Sequence, residues 1–131
     1  MELHIKIIGM ITILLALAHV IFPVYFNWKQ ELSSLSLINR QMMLVHTFFI
    51  AVVLLLLGIL CLSSSQELVN TSFGKKISLG IGIFWLLRLL VQFFWYSSKT
   101  WKGKKFETFI HILFSVLWTY LSIIFIGVYA G

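Results

Sequence analysis

The sequence predicts an all-α membrane protein, a bundle of four transmembrane helices with a short interfacial helix in the first connection. Three observations carry that expectation. Hydrophobic residues make up 60% of the 131 and charged residues only 11%, where a soluble domain has about 25% charged. Four apolar runs, at about 5–26, 42–62, 77–96 and 106–129, are each close to the ~20 residues that an α-helix needs to cross ~30 Å of hydrocarbon. Stretches such as 50–57 have no alternation of apolar and polar residues, so they do not read as barrel strands. The four runs and three short connections account for residues 1–131 as a single transmembrane domain.

The first run reads as a retained helix. Ala16-Leu17-Ala18 imitates a signal-peptidase site, but residues 1–6 are barely basic, and cleavage there would strand the apolar stretch 19–26. Pro23, the one proline, is expected to kink or end this helix and so to free a backbone carbonyl near His19. In the first connection, Asn27 and Gln30 have capping-box spacing, and Trp28, Leu32 and Leu35 make one apolar stripe. This predicts a short helix lying on the membrane surface.

The second run contains Cys61, the sole cysteine, which rules out an intrachain disulfide and reads as a small buried hydrophobe. In the second connection Ser64 and Glu67 have S-x-x-E spacing, which suits another short helical turn. Residues 70–74, Asn-Thr-Ser-Phe-Gly, read as a polar, flexible break. On the third run Ser78 and Gly82 give small-xxx-small spacing for close helix packing. No internal repeat is visible, which argues against an inverted-repeat transporter within one chain.

The formal net charge of +6 reflects bases beside the spans, so it points to topology and anionic-lipid contact rather than to nucleic acid. The first and third connections carry Lys29, Arg40, Lys99, Lys102, Lys104 and Lys105, against Lys6, Lys75 and Lys76 on the other side. This bias predicts a cytoplasmic location for those two connections and both termini outside, as in a bacterial inner membrane. Tyr25, Trp28, Trp95, Tyr96 and Trp101 would then form an aromatic belt at the inner interface.

The strongest functional signal is Arg88, inside the third run. The interiors of the runs hold no aspartate or glutamate, with Glu107 only at the mouth of the fourth. A cation at bilayer depth costs at least about 2.5–3.5 kcal/mol and is normally buried against a partner. Counting at ~1.5 Å per residue from the inner helix ends places His19 about 10 Å deep, His46 about 6 Å, Gln92 and His111 about 7 Å and Arg88 about 13 Å. Trp85, Arg88, Gln92 and Trp95 share a stripe on the third helix, and His111, Ser115, Trp118 and Ser122 share one on the fourth. Because Cα–Cβ bonds lean toward a helix's N-terminus, His19 and Arg88 are expected to lean toward the membrane centre and His46 and His111 toward the cytoplasm, in two sublayers. Asn39, Arg40 and Gln41, with Lys102, Lys104 and Lys105, are placed to extend this layer to the surface. His4, at the terminus, is expected to be exposed and without a functional role.

Two readings follow. In the first, His19, His46, Arg88, Gln92 and His111 form a cytoplasm-facing intramembrane pocket for an anionic lipophilic ligand or cofactor. A guanidinium fork suits phosphate or carboxylate, so the ligand is a lipid or isoprenoid head group, or haem through its propionates, with histidine as axial ligand. In the second, the chain is a non-catalytic accessory subunit whose polar layer binds the helices of its own bundle, of other membrane subunits or of a homo-oligomer. A channel would require several copies around an axis. The expected partners are therefore membrane lipids and membrane subunits, with no nucleic acid. No residue pattern names a reaction.

Overall fold

A computed structural model describes residues 1–94 and 103–131. Six helices follow in order: α1 (Glu2–Tyr25), α2 (Trp28–Glu31), α3 (Leu37–Ser63), α4 (Ser65–Asn70), α5 (Ser72–Phe94) and α6 (Lys105–Ala130). Helix makes up 89% of the described residues, among which there is no strand. The four long helices, of 24, 27, 23 and 26 residues, have mean hydropathies of 2.5, 2.8, 1.9 and 2.2. Their lengths correspond to about 34–40 Å, enough to cross the hydrocarbon. The chain is an all-α membrane protein with four helices long and apolar enough to span.

These helices start earlier than hydropathy predicts because polar residues at their ends supply caps. Helix α3 begins five residues before the apolar run, at an N-cap where Ser36 Oγ accepts from the Asn39 amide at 3.4 Å. Asn39, Arg40 and Gln41 thereby fall inside its first turns. The expected flexible break at 70–74 is a correction. Only Thr71 separates α4 from α5. Its hydroxyl donates to the Glu67 carbonyl (2.6 Å) and accepts from the Gly74 amide (2.9 Å), so one side chain closes two helix ends.

The first connection contains the expected helix, but as one turn of four residues. The predicted capping box is replaced by a side-chain bond, Asn27 Nδ2 to Gln30 Oε1 at 3.0 Å. Asn27 is left-handed (φ 53°), a conformation asparagine tolerates better than most residues, and its own side chain does not cap the turn. Leu35 lies beyond α2 and is 40% exposed, so the apolar stripe is not carried by one helix. Pro23 sits within the last turn of α1, which continues only to Tyr25. It terminates the helix within two residues, and the Phe26 amide still bonds the Phe22 carbonyl at 2.9 Å.

Contacts divide the chain into two compact units, Ile5–Ser65 and Met1–His4 with Gln66–Gly131. In the first unit the buried positions are Ile5, Ile8, Gly9, Thr12 and Ala16 on α1, and Thr47, Ala51, Leu54, Gly58 and Cys61 on α3. The α3 series steps by fours and threes, as does the α1 series with Ile8 beside Gly9, the period of a coiled-coil seam. Gly9 and Gly58 lie at the crossing. A Cβ on Gly58 would stand 2.9 Å from the Gly9 carbonyl oxygen, and one on Gly9 3.0 Å from the Gly58 oxygen. Helix backbones in lipid approach this closely only where side chains are absent or small.

In the second unit Gly74, Ser78, Ile81, Gly82, Trp85 and Gln92 form the buried seam of α5, and Trp118, Leu121, Ser122, Phe125 and Val128 that of α6. The small residues of α5 serve two partners. A Cβ on Gly74 would overlap the Glu67 carbonyl, and Ser78 Oγ donates to the Leu68 carbonyl at 3.4 Å, so both accommodate α4. A Cβ on Gly82 would stand 2.8 Å from Ile126 Cγ1, so this glycine sets the approach of α6. The first residues of the chain also belong to this unit. Asn70 Nδ2 donates to Glu2 Oε1 at 3.2 Å, and His4 Nδ1 and the Tyr120 hydroxyl are hydrogen-bonded at 2.7 Å.

Candidate functional site

Helices α5 and α6 run antiparallel, with Gly82 beside Phe125 and Ile126, Trp85 beside Trp118, and Gln92 beside His111. This register brings three of the five expected site residues together. Arg88 Nη1 donates to Gln92 Oε1 at 3.2 Å, one helical turn on. Gln92 Nε2 is 2.8 Å from His111 Nδ1. Gln92 is buried, and Arg88 and His111 are half-buried.

Hydrogen-bond polarity orders the donors and acceptors along this chain. A guanidinium only donates, so the Gln92 carbonyl oxygen faces Arg88 and its amide nitrogen faces His111. The amide nitrogen only donates, so His111 Nδ1 accepts. This contact suits the Nε2–H tautomer of a neutral ring. A charge on α5 thus orients an imidazole on α6 through one amide.

The direction of Arg88 differs from the sequence expectation. The lean of Cα–Cβ toward the helix N-terminus predicts separation of Arg88 from His111 in two sublayers. The arginine side chain is long enough to curl toward its own C-terminus, where it reaches Gln92. The physical reason is the hydrogen-bond acceptor there, which outweighs the initial lean of a single bond.

Arg88 has an aromatic partner as well. Its Cζ lies 5.2 Å from the Trp118 ring centroid, within the ~6 Å at which ring quadrupole and cation attract by about 0.5–2 kcal/mol. Trp118 is 5% exposed. It stacks on Trp85 (5.0 Å, 9°) and on Phe114 (5.4 Å, 15°). Two parallel rings therefore hold the indole that faces the guanidinium. Trp118 Nε1 is buried with no hydrogen-bond partner among the described residues. The sequence places Trp118 on the inward stripe of α6 but does not pair it with Arg88, because the pairing depends on helix register.

His19 and His46 belong to the other unit. His19 is half-buried on α1 and its Nδ1 lies 2.8 Å from the Leu15 carbonyl. A carbonyl can only accept, so Nδ1 carries the proton and Nε2 keeps its lone pair if the ring is neutral. The ring packs on Phe22 with centroids 4.7 Å apart. His46 is exposed, beside the buried Thr47 and off the seam of α3. Among the described residues, no group of three or more His, Cys, Asp or Glu is placed to hold a metal ion. Trp95, Tyr96, Lys99, Trp101 and Lys102 lie outside the described residues.

His4 is exposed, as expected at the terminus, and it also meets Tyr120 through the hydrogen bond described above and an edge-on ring contact at 5.9 Å. No local signal in the sequence pairs residues so far apart.

Comparison with protein-family models, with curated proteins and with solved structures gives no match. A functional reading therefore rests on this geometry.

Proposed function

We propose that the chain binds an anionic lipophilic molecule at Arg88, Gln92, His111 and Trp118, from the cytoplasmic side of a bacterial inner membrane. The observation that carries the reading is a guanidinium at membrane depth, held by a glutamine on one side and a tryptophan face on the other. Such a group is preorganised, so a phosphate or carboxylate meets donors that need little reorientation. The ligand class includes lipid and isoprenoid head groups, and haem through its propionates. His111, hydrogen-bonded to Gln92, would offer that ligand a ring held in one orientation. The reading requires only the α4–α6 unit, and His19 and His46 remain candidates to contribute from theirs. The positive-inside bias supports both termini outside, and reporter fusions at residues 36 and 131 would test the orientation.

A second reading has its own support. The inter-helix link of the site, Gln92 to His111, belongs to a class of bonds that in lipid average about 0.6 kcal/mol and serve as glue. In that reading the chain is a non-catalytic accessory subunit of a larger membrane complex.

One experiment separates them. The protein is purified in detergent, its absorbance is read before and after dithionite, and extracted small molecules are identified by mass spectrometry. One stoichiometric anionic lipid, lost in Arg88→Gln, supports the binding reading. A Soret band that shifts on reduction makes haem the ligand. A colourless protein that retains no anionic molecule, and whose bundle is merely less stable in Arg88→Gln, favours the accessory subunit.

A further inference from the structure

An open groove of about 410 Å³ runs along α6, lined by Phe93, Ser115, Val116, Thr119, Tyr120 and Ile123. Three of these six residues carry hydroxyls, and each of the three is already hydrogen-bonded within the chain. Ser115 Oγ donates to the His111 carbonyl and Thr119 Oγ1 to the Ser115 carbonyl, each at 2.8 Å. The Tyr120 hydroxyl is tied to His4. The wall is thus apolar in practice, shaped for hydrocarbon rather than for sugar, water or ions.

The groove starts at the polar site. The Phe93 ring lies 6.1 Å from that of His111, and Ser115 is one turn from His111 on the same helix. From Ser115 to Ile123 the helix rises about 12 Å, less than half of a ~30 Å hydrocarbon layer. We infer that this groove seats one hydrocarbon chain of an anionic lipid whose head group is held at Arg88, Gln92 and His111. The inference rests on the binding reading above and narrows its ligand to a membrane amphiphile with a linear tail.

The solvent here is itself hydrocarbon, so a tail gains no hydrophobic drive on entering the groove and is held by close packing alone. The groove should therefore set selectivity more than affinity. Val116 and Ile123 are 63% and 62% exposed, and a bulky residue at either position fills the groove without entering the buried seam.

The test uses the full chain in nanodiscs of phosphatidylcholine with one part in ten phosphatidylglycerol, and native mass spectrometry counts retained lipid. Val116→Trp is expected to lower phosphatidylglycerol retention about threefold, and Arg88→Gln about tenfold or more. Leu56→Trp, at a comparably exposed position of the other unit (60%), should leave it unchanged. Retention lost in Arg88→Gln but equal to wild type in Val116→Trp would overturn the groove and leave the head-group site standing. No preference for phosphatidylglycerol in the wild type would overturn both. Should Val116→Trp unfold, the milder Val116→Cys replaces it, labelled with a spin probe, with the same threefold loss expected and wild-type retention counting against the groove. Spontaneous cross-linking of unlabelled Val116→Cys between copies would assign the groove to a second copy of this chain and likewise overturn the tail.

Discussion

The two units bury seams of the same period but opposite chemistry. Between α1 and α3 the seam is made of glycine, alanine, threonine and aliphatic residues, and its tightest point is Gly9 against Gly58. Between α5 and α6 one end is equally lean, at Gly82, but the other carries Trp85, Arg88, Gln92, His111 and Trp118. Helices in lipid need only the first kind of seam to associate. The second kind costs desolvation of a cation and of an indole N–H. Gly74 and Ser78 meet α4, and Gly82 meets α6, toward the opposite end of α5 from that polar cluster.

The largest effect should come from breaking the lean seam. Gly58→Leu forces a side chain against the α1 backbone, and overpacking of this kind costs about 1–3 kcal/mol or more. Thermal unfolding in detergent should show a much lower midpoint, with lipid retention per folded molecule unchanged. A midpoint equal to wild type would mean that the Gly9–Gly58 approach does not hold this unit. Gly58→Ala should fall between the two.

Next in size is Trp118→Leu, which removes the ring beneath Arg88 and the stack with Trp85 and Phe114. Large-to-small changes at buried aromatic positions cost up to about 3–5 kcal/mol, and leucine keeps part of the volume, so about 2 kcal/mol is expected here. Unlike Gly58→Leu, it should also reduce retention of anionic lipid. Stability lost with retention intact would make Trp118 a packing residue and reduce the contrast between the seams to size alone.

How far the sequence led follows from which interactions are local. The four spans are legible because hydropathy is a property of each run by itself. Arg88 and Gln92 on α5, and His111 on α6, are legible because helical periodicity places them on inward stripes. What escapes is whatever depends on pairing: Gly9 with Gly58, Trp118 with Arg88, His4 with Tyr120. The early starts of α3 and α5 escape for a different reason. Ser36 and Thr71 extend helices through polar residues by capping, and a hydropathy profile ends at the first polar residue. The curl of Arg88 toward Gln92 shows that backbone geometry directs the first bond of a long side chain and acceptors direct its end.

Gln92→Leu sharpens the comparison by removing the bridge while leaving both ends. It keeps the volume near constant, deprives Arg88 Nη1 of an acceptor and deprives His111 Nδ1 of its donor. Loss of such bonds costs about 1 kcal/mol. The more telling readout is nitrogen NMR of the imidazole. In the wild type, Nδ1 should have the shift of an unprotonated, hydrogen-bonded nitrogen and Nε2 that of an N–H. In Gln92→Leu that preference should weaken and the two tautomers mix. An unchanged spectrum would mean that His111 takes its tautomer from another neighbour and that Arg88 does not reach it through Gln92.

The smallest effect, and the most specific, is expected at His4. The change His4→Phe keeps a ring beside Tyr120 and removes the hydrogen bond, so stability should fall by less than about 1 kcal/mol. Tyr120 forms part of the groove wall, and a hydroxyl released from His4 becomes a donor facing hydrocarbon. Retention of a saturated anionic lipid should therefore fall slightly, while a lipid with a hydroxyl or ester group at that depth should gain by comparison. The polar end, where Arg88 sits, should respond to changes in head group, and the far end, where His4 sits, only to changes in the tail. If His4→Phe altered head-group preference instead, the separation of charge recognition from tail recognition along α6 would be wrong. The contrast within this unit would then reduce to a single polar site.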